Sequence, residues 1–178
     1  MSCLKSLAGI AASCETNLAG IKAIYLANFD DVTVTVDETG HTVSAITMSG
    51  SSKFYAYHFA KQTGSLTSTI TKDETNGTRY YTNAIALQFT KLEAAKHIEV
   101  EALASGQLIG IVEDNNGKRH LVGYDSYLSA DEATAQTGQS FDDLNGYNLS
   151  MSAMSAYLPF FIEDTLWESF KTNIVEPA

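Results

Sequence analysis

The chain is short of charge, above all of positive charge. Asp, Glu, Lys and Arg make up 18% of its 178 residues, against roughly a quarter in ordinary globular domains. Lys and Arg number 11 against 21 Asp and Glu, which leaves a formal net charge of −10. Affinity for a duplex comes mainly from cations that displace counterions from phosphates, so this balance argues against nucleic-acid binding through the backbone. An acidic wall would instead repel a polyanion and let it slide. The nearest approach to a basic run is Lys118-Arg119-His120, which reads as a solvated hairpin turn.

Cysteine is scarce too, with Cys3 and Cys14 alone. They fit no zinc or C-x-x-C spacing, and a bridge between them would staple only the first turn or two of chain. They read as reduced thiols of a bacterial-cytosol product. The rival reading is a lipoprotein signal, with Lys5 as its basic part, Leu7 to Ala12 as its apolar core and Cys14 as the acylated residue; that core is short and small-sided. No apolar stretch approaches the ~20 residues that cross a bilayer, so no membrane partner is expected. Internal repeats and low-complexity tails are missing as well.

Motifs that carry chemistry are also wanting. His41, His58, His97 and His120 stand in no H-E-x-x-H or H-x-H register, and His58, in an apolar strand, reads as a satisfied histidine. The adjacent acids Asp30-Asp31, Asp73-Glu74, Glu113-Asp114, Asp142-Asp143 and Glu163-Asp164 read as turns or helix starts. A calcium-loop register, G-x-S-x-G, Walker and G-x-G-x-x-G patterns are lacking. The expectation is a non-enzyme without catalytic, cofactor-binding or metal residues.

What is present is a β pattern. Apolar residues reach 44%, enough for one core, and the length suits one domain. Thr, Ser and Asn fill the places that charge leaves empty, as on surfaces packed against copies of themselves. Residues 1–20, small and polar, read as an arm; 21–178 read as a single β-rich domain with an extended loop at 125–141. Strands are expected at 21–29, 32–36, 43–48, 53–59, 65–72, 78–89, 107–112, 118–124 and 147–158. Asn76-Gly77, Asn116-Gly117 and Asn145-Gly146 supply turn chemistry. In the sixth strand Tyr81, Asn83, Ile85, Leu87 and Phe89 alternate with Tyr80, Thr82, Ala84, Ala86 and Gln88. The second face is small and neutral, suited to another subunit or a wet lumen. Tyr55, Tyr57, Phe59, Tyr80, Tyr81 and Tyr124 read as cross-strand packing.

Thr90 and Glu93 form a T-x-x-E capping box. Leu92, Ala95, Ile98, Ala102 and Leu103 then recur at helical spacing up to Gly106, predicting a helix over about 91–104. His97 is expected to pair with Glu93 on its exposed side. A short C-terminal helix is expected over 160–170, with Glu163 and Asp164 at its start and Lys171 at its end. The fold class is therefore mainly β, an antiparallel sandwich or barrel with one flanking α-helix and a possible short C-terminal one.

The run Asn17 to Phe29 resembles the start of tail structural proteins of phages and prophages of Bacteroidetes. So do Phe54-Tyr55-Ala56-Tyr57, Ser65-Leu66-Thr67-Ser68, Asp73 to Tyr81, Ile111 to Gly117, Thr137-Gly138 and Leu144-Asn145-Gly146-Tyr147. The similarity covers roughly 15–160 and is one of pattern and order. It implies a tail tube protein: two packed sheets with a helix on the flank, in hexameric rings that stack into a β-lined channel. It implies self-association, contacts with other tail proteins such as tape measure, sheath or baseplate, and passage of DNA without specific binding. The arm and the loop at 125–141 would suit ring-to-ring contacts, and the protein would reside in the virion tail. Other virion rings (terminator, connector, head decoration) and a glycan-binding surface lipoprotein are the alternatives.

Overall fold

The computed structural model describes residues 9–177. Cys3, Lys5 and the first two residues of the proposed signal core, Leu7 and Ala8, lie outside them. Twelve strands run in chain order with two α-helices: β1 Ile21–Asn28, β2 Val32–Asp37, β3 Thr42–Met48, β4 Phe54–His58, β5 Gly64–Asp73 and β6 Thr78–Thr90. Then come α1 Ala94–Ser105, β7 Leu108–Asp114, β8 Arg119–Val122, β9 Ser129–Gln136, β10 Gly146–Ser155, β11 Phe160–Ile162, α2 Asp164–Phe170 and β12 Ile174–Val175. They form an eight-stranded sheet, β12-β4-β1-β7-β8-β11-β3-β2, and a four-stranded one, β5-β6-β10-β9. All pairings are antiparallel except β11 on β3 and β12 on β4. The molecule is a mainly β sandwich with two helices, and its sheets do not close into a barrel.

Two apolar clusters sit on the opposite faces of the larger sheet. Between the sheets lie Ile24 and Leu26 of β1, Leu108 and Val112 of β7, Ile85 and Leu87 of β6, and Leu149 and Met151 of β10. On the far face Tyr25, Ile109, Ile111, Phe54, Val43 and Phe160 gather under Trp167 and Phe170 of α2. Strands from across the sheet point into this one cluster, so the sheet curls around it. Central strands β1 and β7 are therefore buried on both faces and read as near-continuous apolar runs. A register shift between Ile21 and Ala23 turns Ile21 toward the inter-sheet cluster and leaves Lys22 outside.

Two expectations about connections need correction. The stretch 125–141 is not one long loop, because Ser129–Gln136 forms the outer strand β9 on β10. Its sequence hides the strand: an edge strand lined with Ala, Asp, Glu and Thr buries too little to show an apolar alternation. Asn145-Gly146 is also not a hairpin turn, since Gly146 opens β10 opposite Thr90. Glycine is required there because a Cβ would stand 2.0 Å from the Phe89 carbonyl oxygen. The other two Asn-Gly pairs do turn hairpins, with Gly77 and Gly117 at positive φ. The predicted terminal helix is shortened: Phe160–Ile162 is spent as β11 and the helix starts at Asp164.

Ile111, 0% exposed in the second cluster, has no room to collapse around a cavity. Ile111→Ala is expected to destabilise the protein by about 2–5 kcal/mol. Urea unfolding should show this as a lower midpoint with an unchanged slope.

Candidate assembly surface

The smaller sheet gives one face to the core and the other to solvent. Cross-strand partners share a face, so its outward rows follow from the register. Ser65, Ala86, Ser150 and Glu132 form one row, and Thr67, Ala84 and Ser152 the next. Thr69, Thr82 and Met154 follow on one side, with Gln88, Asn148 and Thr134 on the other. The face is thus mainly hydroxyls, amides and alanines across four strands, with the exposed Met154 toward one end. Its charges in these rows are Glu132 and, at the irregularity in β9, Asp131, which accepts from the Ser152 hydroxyl at 2.9 Å. No Lys or Arg stands among them. Beneath, Asn83 is 1% exposed on the core side, and the Ser68 hydroxyl donates to its Oδ1 at 2.6 Å. The small neutral face predicted from β6 alone therefore continues across β5 and β10 and becomes acidic at β9, with Asp131 and Glu132.

Helix α1 flanks this sheet beside β9, at Ala94–Ser105 rather than about 91–104. The Thr90–Glu93 capping box does not form. Glu93 is itself the N-cap residue without a side-chain cap bond, and its carboxylate pairs with Lys91 and, at 3.3 Å, with Lys96. The entry to the helix is held from elsewhere: the Leu92 N–H donates to Asn145 Oδ1 at 3.2 Å and the N-cap Glu93 N–H to the Tyr147 hydroxyl at 3.3 Å, a tether supplied by β10 and its approach. The His97 ring meets Tyr147 and not the Glu93 carboxylate. Tyr57 of β4 donates to Glu99 at 2.5 Å, and burial, followed by that carboxylate, pushes its phenol far above the ordinary value. These polar tethers set the helix's rotation. Of the predicted apolar stripe Leu103 is buried, while Ile98 is 69% exposed.

Arg119 departs from the expected solvated turn. Its guanidinium lies 4.6 Å over the Trp167 ring and 2.7 Å from Asp164. Glu113 is likewise no turn residue. It is 6% exposed, accepts from the Tyr25 hydroxyl at 3.0 Å and pairs with Lys22 at 3.2 Å. His58 pairs with Glu176 at 2.8 Å and His120 with Asp114 at 3.3 Å. The other acid pairs fall where expected, in turns or at helix starts. Cys14 is exposed. Among the described residues no three His, Cys, Asp or Glu side chains converge as a metal ion needs, and no helix is long and apolar enough to cross a membrane.

No protein-family model matches the chain, and neither does any curated protein or solved structure.

The Tyr147 hydroxyl both orders His97 and receives the Glu93 N–H, so Tyr147→Phe is expected to lower stability by about 1 kcal/mol and to speed hydrogen exchange in α1; unchanged exchange there would refute the tether. The turns at Asp73 and Asp143 supply a pH signature. Each carboxylate is held below the ordinary 3.8 by backbone N–H donors, those of Asn76 and Thr75 for Asp73 and of Ser140 and Gln139 for Asp143. A depressed carboxylate stabilises above its unfolded pKa and loses that stabilisation as pH falls through the folded value. Both turns should thus stay intact at pH 3.8 and loosen below it. In an NMR titration the Gln139 and Ser140 amides should shift with a midpoint under 3.8.

Proposed function

We propose that this chain is a structural subunit of a phage tail tube, self-assembling into stacked hexameric rings around a DNA-conducting channel. One observation carries the reading: the outward face of β5-β6-β10-β9 is broad, small-sided and hydroxyl-rich, with carboxylates as the charges of its rows. Such a face suits the channel wall. It is wettable, holds no cation on which a phosphate backbone would catch, and adds to the repulsion from a net charge of −10. The two outer strands, β5 and β9, each leave one backbone edge unpaired among the described residues. An unpaired edge is a template for another chain, so edge-to-edge pairing around a ring would continue the sheet. The sequence resemblance agrees with this reading, and a mainly β sandwich with a flanking helix is compatible with it. In it, the partners are further copies of the chain and other tail proteins such as tape measure, sheath or baseplate, and the place of action is the virion tail. DNA passes without specific binding.

Negative-stain electron microscopy across protein concentration tests the proposal. Stacked rings or tubes with a central hole are expected. Rings that never stack point to a terminator or connector, and a monomer at every concentration overturns self-assembly. The wall assignment has its own test. The double variant Asp131→Lys, Glu132→Lys should make assembled particles retain DNA in a salt-sensitive manner, where the parent retains none.

A further inference from the structure

Beside α1 lies an apolar groove with a volume of about 360 Å³. Its walls are Tyr55, Tyr57, Phe89, Val100, Leu103 and Val175. Two of these are well exposed, Tyr55 at 52% and Val175 at 41%, so the groove is open. Ionisable groups around it are mostly spent: His58 on Glu176 at 2.8 Å and Lys96 on Glu93 at 3.3 Å. Glu99 is different. It accepts from the neutral Tyr57 hydroxyl and pairs with no cation among the described residues. An occupant that matches the groove brings apolar side chains around one positive charge.

The chain contains such a segment, Leu4-Lys5-Ser6-Leu7. Lys5 is the only cation before Lys22. The arm that carries it is rooted firmly and then leaves the body. Asn116 Oδ1 accepts from the Leu18 N–H at 2.8 Å, and its Nδ2 donates to the Leu18 carbonyl at 2.9 Å. Asn115 Nδ2 donates to the Ala19 carbonyl at 2.7 Å. Beyond this root residues 9–16 are exposed, Ile10 completely. The direction of the root decides whose groove is filled. β1 has β4 on one side and β7 on the other, and the latch on the β7–β8 turn draws the arm to the β7 side. The groove lies on the β4 side. The arm therefore leads away from its own groove, while an extended stretch from Leu4 to Asn17 spans about 40 Å, enough to reach a neighbour.

We infer that the Leu4–Leu7 segment of one copy seats in the Tyr57–Phe89–Leu103 groove of a second copy, with Lys5 paired to Glu99. This contact does not depend on the tube reading, because it joins any two copies.

Sedimentation velocity of the full chain, of a chain lacking Met1–Ala8, and of Lys5→Glu, Glu99→Lys and the double variant tests it. Deletion and each single reversal are expected to weaken self-association roughly tenfold, as loss of a central contact does; the double variant, with the pair restored in reverse, should recover most of it. Glu99→Gln, which keeps an acceptor for Tyr57, separates loss of charge from loss of the tether and should also weaken association. A synthetic peptide of residues 1–15 should bind the shortened chain and lose affinity with Glu99→Gln. Association unchanged by deletion, or a double variant as weak as the singles, overturns the inference. So does a monomeric full chain whose shortened form binds the peptide, which would place the arm in its own groove. Stacked rings formed equally well by the shortened chain would overturn the arm contact and leave the tube reading standing.

Discussion

Burial of β1 and β7 on both faces is the constraint from which the rest of the structure follows. Alternate residues of these strands feed two clusters, Ile24 and Leu26 toward the smaller sheet and Tyr25, Ile109 and Ile111 away from it. A strand sealed on both sides needs a layer on each. The four-stranded sheet is one layer. The other comes from the curled flanks of the same large sheet and α2, whose Trp167 and Phe170 close it. Ionised groups at the margin are admitted only in pairs. Glu113 is buried against the Tyr25 hydroxyl and Lys22, and Arg119 is held between Trp167 and Asp164. A lone carboxylate there would be costly.

Because the large sheet takes both clusters, the small sheet is free to be one-sided. Its inward row packs, and its outward rows carry Ser, Thr, Ala, Asn and Gln. Surfaces of ordinary monomers carry more charge than this, and the scarcity seen over the whole chain is sharpest on this face. The arm and α1 share this economy of contact. The arm is tied by amides at Asn115 and Asn116 and is exposed over residues 9–16, and α1 buries Leu103 while leaving Ile98 in water.

Much of the fold was legible. β1, β2, β3, β5 and β6 stand within a residue or two of the predicted spans, because β-branched runs and Asn-Gly turns act locally. β9 was illegible because its residues, Asp131, Glu132, Ala133 and Thr134 among them, are strand residues only through pairing with β10. The helix was legible in place but not in rotation. Periodicity favoured the Leu92–Ala95–Ile98–Ala102 stripe, whereas Tyr57, Tyr147 and Asn145, distant in sequence, fixed which side turns inward. Arg119 and Glu113 were misplaced in solvent for the same reason: their partners Trp167, Asp164 and Tyr25 come from other parts of the chain.

The amino-acid sequence by itself determined the β character, the hairpins, the position of the flanking helix, the acidic balance and the neutral face of β6. All of these rest on local propensity, alternation or composition, which a chain carries whether or not it is folded. Only the tertiary structure decided that this face extends over four strands, that the outer strand exists, how α1 is turned and where Glu99, bonded to Tyr57 and without a cation among the described residues, opens beside an apolar groove. Each of these depends on which strands become neighbours, and that is settled by burying two clusters at once, a property of the whole chain and of no single segment.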